Sequence, residues 1–298
     1  MSSTSASTSI RRVRERQPPP ARAAGPAPRP GVEAGRSGSP GVHAALSVLE
    51  LLVAHAPLGL SELAAELRLA KSTLHRICAV LVERGWVVRD REGRFDLGAR
   101  AIGIGARSGE LPVVTGFRGI AARLLTAHNE TVCLAVLDGD DSMFIALEET
   151  SHPVRLVTTV GNRTPAFAAA SGQVVLAERS PAVIEADYGG RLLVTPTGRR
   201  LRDVGELQEI LAQVRRQGYA ESHGETAEGL YSVSAPVRND AGAVLAAMTL
   251  CVPTCRVDPA RREALISDLV AASAGLSAEV AWLPAWNATR ADRPRTAL

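Results

Sequence analysis

AKSTLHRICAVLVERGWVVRDREGRFDLG, residues 70–98, decides how the first third of this chain folds. Leu74, Ile77, Cys78, Leu81 and Val82 recur at helical spacing and make one apolar stripe on a helix from 71 or 72 to 83, with Gly85 as its C-cap. At about 100° per residue, Ser72, Arg76, Ala79 and Glu83 project from the opposite side, with Thr73 and His75 on the flanks. The exposed N-terminal half of this helix is therefore short, hydrogen-bonding and cationic. It begins at Lys71, the only lysine in the chain. WVVRD and RFDLG, on either side of residues 91–93, read as two short strands around a turn.

Upstream, VHAALSVLELLVAHA (42–56) places Ala45, Leu46, Val48, Leu49, Leu52 and Val53 on one helical face, and Pro57 follows its end. LGLSELAAELRLA (58–70) offers Ser61 as an N-cap and Leu63, Ala64 and Leu67 as a short apolar face. Three short helices followed by a hairpin make a winged helix-turn-helix, assigned to residues 41–98.

A helix so divided suits the major groove of DNA, where base edges present donor and acceptor patterns. Arg76 has the fork for a bidentate contact to guanine. Ser72 and Thr73 reach base edges or phosphate, with His75 beside them, and Lys71 sits where a phosphate also meets free backbone N–H groups. Arg89, Arg91 and Arg94 surround the hairpin turn, placed for backbone or minor groove. Charge is polarised the same way. Residues 68–100 hold eight Lys or Arg against four acids, whereas residues 41–67 hold three glutamates and no Lys or Arg. Two other readings fit the pattern: the polar face simply solvates a surface helix, or the winged module docks on protein.

Residues 1–40 are Ser, Pro, Gly, Ala and Arg, with seven arginines and two glutamates, and cannot bury enough surface to order themselves. They read as a disordered basic tail, either adding phosphate affinity or serving as a solvated leader; residues 284–298 read as a second tail. A linker helix spans 99–111, and a second domain spans 112–283. There VVTGFRGIAARLLTAHN, SGQVVLAER, DVGELQEILAQVRRQ and residues 259–280 read as helices. TVCLAVLDG, DSMFIALEE, VRLVTTV, GYAESH, YSVSAPVRN and AVLAAMTLCV read as strands, largely in antiparallel pairs. The whole is α+β, with a mixed α/β, GAF-like second domain on an antiparallel sheet.

Bulk properties narrow the class. Apolar residues are 46% and aromatics 3% of 298 residues, so the cores rest on Ala, Val, Leu and Ile. A net charge of +3 names no partner. No apolar run reaches membrane-spanning length and no secretory h-region opens the chain, which implies a cytoplasmic protein. Cys78, Cys133, Cys251 and Cys255 form no C-x-x-C pair and read as reduced core residues.

In order, these features resemble the IclR family of bacterial transcription regulators. The resemblance covers residues 42–280 and rests on L-x-E-L-A, on K-S-T-x-x-R and on LVERGWVVRD-REGRFDLG. In the second domain it rests on ETVCLAVLDGD, VGNRTPAFAAASGQVVLA, RRQGYAESHGETAEG and SAPVRNDAGAVLAAM. It implies a ligand-responsive repressor or activator, with repression favoured, that binds a double-stranded DNA operator as a homodimer or dimer of dimers. Such a protein would control a catabolic or secondary-metabolic operon in response to a small organic acid or aromatic metabolite. It further implies an effector pocket under the sheet lined by Ala170, Ser171, Gly172, Ser222, Glu225, Leu230, Ser232, Thr249 and Cys251. Phe167, Ala169, Gln173, Ser222 and Ser232 depart from the family's usual residues toward lower charge, which favours a ligand with a larger apolar part.

Competing functions have less to stand on. An enzyme could draw on Cys133 or Cys251 as thiol and His128 or His223 as base, but nothing in the sequence pairs them. A redox sensor would use Cys251 with Cys255. That spacing with a distant histidine is too loose for zinc, and no phosphate-cradling glycine motif appears, so no cofactor or metal is expected.

Overall fold

The computed structural model describes residues 39–108 and 111–285, and the two expected tails fall almost wholly outside them. The chain divides into two compact units. One takes the described residues up to Glu83 together with Arg89–Asp96; the other takes Arg84–Val88 and what is described from Leu97 onward.

In the N-terminal region, helices α1 (Pro40–His55), α2 (Leu60–Leu67) and α3 (Lys71–Glu83) pack on one another. A two-stranded hairpin follows, β1 (Val87–Arg89) and β2 (Phe95–Leu97). Pro40 opens α1, where its missing N–H costs nothing. Val48, Leu51, Leu52, Leu63, Leu74, Cys78 and Leu81 are buried. The expected stripes are narrower than their periodicity suggested: Val82, Leu46 and Val53 are all exposed. Ser61 is not the cap of α2. Gly59 holds that place, and its N–H donates to the Glu62 carboxylate at 2.6 Å. Phe95 exchanges backbone hydrogen bonds with Leu58, which fastens the wing to the α1–α2 connection.

In the C-terminal unit, α4 (Ala99–Ser108) and α5 (Pro112–His128) precede a six-stranded sheet. Its strands are β3 (Thr131–Asp138), β4 (Asp141–Glu148), β5 (Arg163–Pro165), β6 (Ala220–His223), β7 (Leu230–Arg238) and β8 (Val244–Pro253). The order is β5-β4-β3-β8-β7-β6, antiparallel throughout. Helices α6 (Ala170–Leu176), α7 (Pro181–Tyr188), α8 (Val204–Gln217) and α9 (Pro259–Glu279) complete it.

The sheet has two chemically different faces, because strand side chains alternate. Val132, Leu134, Val233, Ala235, Met248, Leu250 and Val252 form one apolar core with Phe117, Ile120, Leu265 and Leu269 of α5 and α9. The opposite face carries Thr131, Cys133, Ser232, Ser234, Thr249 and Cys251, all buried, and α6 packs on that side of the sheet. A second core joins α6, α7 and α8 through Leu176, Ile184, Tyr188, Leu207 and Leu211.

Two expectations need correction. VRLVTTV (154–160) forms no strand; Val154, Val157 and Val160 face solvent. The chain joins β4 only from Gly161 and Asn162, which exchange backbone hydrogen bonds with Phe144, and continues into the short β5. Helix α7, with Ser180 as its N-cap, had no counterpart in the sequence reading.

Candidate functional site

Two features stand out, one in each unit. On α3, Leu74 and Cys78 are almost wholly buried while Lys71, Ser72, Thr73, His75 and Arg76 are exposed. The helix is thus anchored from behind and presents a hydrogen-bonding, cationic N-terminal face.

The wing is shaped by Asp90. Its carboxylate accepts from the backbone N–H groups of Glu92 (2.9 Å) and Arg94 (2.8 Å), and Gly93 takes the positive φ of 83° that closes the turn. Arg91 stands exposed at the tip. Arg89 donates to the Gly93 carbonyl at 3.3 Å and lies over the Phe95 ring at 5.5 Å. Arg94 departs from the sequence reading. It is half-buried, and its guanidinium donates to the Pro57 carbonyl, tying the hairpin to the loop after α1. Arg94→Ala is therefore expected to lower the stability of this domain by about 1 kcal/mol through a lost hydrogen bond. Arg91→Ala should leave the melting temperature unchanged. Thermal melting of both variants checks this; equal melting would return Arg94 to the free wing cations.

In the second unit a small cavity of about 90 Å³ lies over the polar face of the sheet. Of the nine residues expected to line it, Ala170, Ser171, Leu230, Ser232, Thr249 and Cys251 do so. Gly172, Ser222 and Glu225 do not. A Cβ at Gly172 would sit 2.3 Å from the Ala166 carbonyl oxygen, so this glycine serves the close approach of α6 to that backbone. The Ser222 hydroxyl donates to the Glu225 carboxylate at 2.8 Å, and Glu225 also accepts from Arg199 at 2.9 Å and from the His223 N–H. Burial pushes the Glu225 carboxyl up. The hydrogen bonds from Ser222 and from backbone N–H groups, together with the Arg199 charge, outweigh it and hold the group below the usual range. This cluster fastens the loop whose Thr226 and Ala227 reach the cavity.

The sequence reading missed eight lining residues: Ser142, Phe144, Leu156, Asn162, Thr164, Ala169, Thr226 and Ala227. Ser142 is held by a 2.7 Å hydrogen bond between its hydroxyl and that of Ser171. Small side chains on the strands leave the room, and the larger apolar Phe144, Leu156 and Leu230 also line it. Among the described residues, no Lys, Arg or His lines the space.

Residues 42–91 match the IclR helix-turn-helix domain, and residues 106–278 match the bacterial transcriptional regulator IclR C-terminal domain. The chain belongs to the IclR family. It is 31% identical over 238 residues to the HTH-type transcriptional regulator BhcR of Paracoccus denitrificans, covering 78% of this chain and 84% of that protein. A solved IclR transcriptional regulator from Alicyclobacillus acidocaldarius is similar at a TM-score of 0.71 and 27% identity, covering 81% of this chain and 99% of that one. An IclR homologue from Microbacterium hydrocarbonoxydans, complexed with 4-hydroxybenzoate, shares the fold at a TM-score of 0.69 and 24% identity, covering 80% and 98%.

This IclR-family member is a DNA-binding transcription regulator and not an enzyme. The thiols agree with that assignment. Cys133 is pushed well above the usual thiol range, first by a hydrogen bond with Cys251 and then by burial, so it does not supply a thiolate nucleophile. Cys251 is buried in the sheet while Cys255 is exposed on the turn beyond it, and neither is in a disulfide. No helix among the described residues is long and apolar enough to cross a membrane.

Proposed function

We propose that this IclR-family regulator is a cytoplasmic homo-oligomer, a dimer or a dimer of dimers, that represses an operon by reading its operator with α3 until a small organic molecule occupies the cavity. The observation that carries this reading is the cavity itself, lined by small polar side chains together with apolar ones, in a chain whose α3 presents a cationic face. Ser142, Thr164, Ser171, Thr226 and Ser232 offer neutral hydrogen-bonding groups, while Phe144, Leu156 and Leu230 offer an apolar wall. That combination favours a compact ligand with one polar end and an apolar body, such as a small organic acid or an aromatic metabolite from a catabolic or secondary pathway. The 4-hydroxybenzoate held by the Microbacterium homologue is of this kind. A ligand moves the DNA equilibrium only by binding one arrangement of the oligomer better than another, which alters the spacing of the paired α3 helices.

The test is binding of the purified protein to DNA flanking its own gene across a salt series. Tight, sequence-dependent binding that weakens steeply with salt is expected, and a small organic acid or aromatic should release it. Binding no better than to random DNA, on genome-selected fragments as well, would make the winged module a protein-docking element.

A further inference from the structure

A groove of about 430 Å³, several times the volume of the sheet cavity, lies between α7 and α8. Its apolar lining comes from Pro181 and Ile184 of α7 and from Leu211 and Ala212 of α8. Ile184 and Leu211 are almost wholly buried members of the second core, so the packing behind them holds this lining in place. A concave space of this size, mostly apolar with a few fixed polar groups, has the dimensions of a small-molecule site.

Charge selects the ligand. Arg179 and Arg215 both line the groove, with Glu209. Arg179 donates to Asp187 at 2.8 Å, and Glu209 accepts from Arg202 at 3.2 Å, so these two charges are already answered. Arg215 differs. Its Nε donates to the Ala177 carbonyl at 2.8 Å and its Nη2 to the Arg179 carbonyl at 3.2 Å. Those bonds fix the guanidinium but neutralise nothing, and among the described residues Arg215 enters no ion pair and its Nη1 has no partner. A positioned cation with donors to spare, beside fixed apolar surface, matches a carboxylate carried on an apolar body.

We propose that the α7–α8 groove binds a monocarboxylate with a compact apolar body, the carboxylate on Arg215 and the body on Ile184 and Leu211. The sheet cavity offers such an anion no Lys, Arg or His among the described residues. The two spaces are distinct, and α6 runs between them. Ala170 and Ser171 at its start line the cavity, whereas Ala177, just past its end, accepts from Arg215. The groove site does not depend on what occupies the cavity.

The experiment titrates the full-length protein with octanoate by isothermal titration calorimetry, with octanamide as the uncharged control. A single site per chain is expected, with octanamide weaker by about tenfold or more, the scale of a hydrogen bond to a charged group. Arg215→Gln should weaken octanoate by the same factor and leave octanamide unaffected. Ala212→Trp, which fills the groove from α8, should abolish binding of both. Ser232→Leu, which fills the sheet cavity instead, should leave octanoate binding unchanged. Circular dichroism establishes that each variant folds; if Arg215→Gln does not, Ala212→Trp and the contrast between octanoate and octanamide carry the same test. The proposal is overturned if octanoate does not bind, if octanamide binds as tightly, if a folded Ala212→Trp variant keeps octanoate, or if a folded Ser232→Leu variant loses it, which would move the ligand to the sheet cavity.

Discussion

Glu130→Ala is expected to destabilise the second domain by about 3 kcal/mol, the lower end of the range for breaking a buried ion pair. The Glu130 side chain is fully buried at the start of β3. Both its oxygens accept from Arg256, at 2.8 and 2.6 Å, and one also accepts from Arg261 at 2.9 Å. Removing the carboxylate strands two guanidinium groups. They are partly exposed, at 21% and 33% of their side-chain area, and so recover some hydration, which places the loss at the lower end. Arg256→Ala should cost less, because Arg261 still answers the carboxylate. Arg256 also donates to the Val154 carbonyl at 3.0 Å, so losing Glu130 loosens the segment that brings Leu156 to the cavity. Urea unfolding followed by circular dichroism gives the difference. A loss below about 1 kcal/mol, the scale of an exposed pair, would mean that the cluster is not the clamp its burial implies.

The same cluster marks the limit of what the sequence could reveal. Helix α3 was legible because its buried positions, Leu74, Cys78 and Leu81, repeat within a few residues, and local periodicity records which face is buried. The hairpins were legible because Gly93, Gly139 and Gly242 adopt the positive φ that their turns require. Glu130 meets Arg256 across 126 residues, and no local pattern encodes that pairing. Arg94 looked like a wing cation for the same reason: its partner, Pro57, is 37 positions away. VRLVTTV has the composition of a strand, yet β4 gains its outer neighbour only from Gly161 onward, and Leu156 turns toward the cavity instead. The family resemblance gave Ser232, Thr249 and Cys251 on the strands and Ala170 and Ser171 on α6. It did not reach Ser142 and Phe144 on β4, nor Asn162, Thr226 and Ala227, which loops deliver.

Arg76→Ala should weaken binding to the specific operator by about 1–3 kcal/mol, roughly 5- to 150-fold, and relax sequence preference at the contacted position. Arg76 is exposed and enters no ion pair among the described residues, so its guanidinium is available to a base edge. Leu74, Cys78 and Leu81 hold the helix from behind, and alanine is the better helix former, so the substitution should leave folding intact. That separation makes the measurement clean: operator affinity falls while the melting temperature stays put. Arg91→Ala at the wing tip should act differently, weakening specific and random DNA alike and lowering the salt slope by about 0.9 for the lost phosphate contact. The contrast follows from what each side chain meets. A fork aimed at a base edge discriminates sequences, and a charge laid along the backbone does not. If Arg76→Ala bound its operator and random DNA as the unsubstituted protein does, α3 would not be the reading element, and the cationic face would be solvation alone.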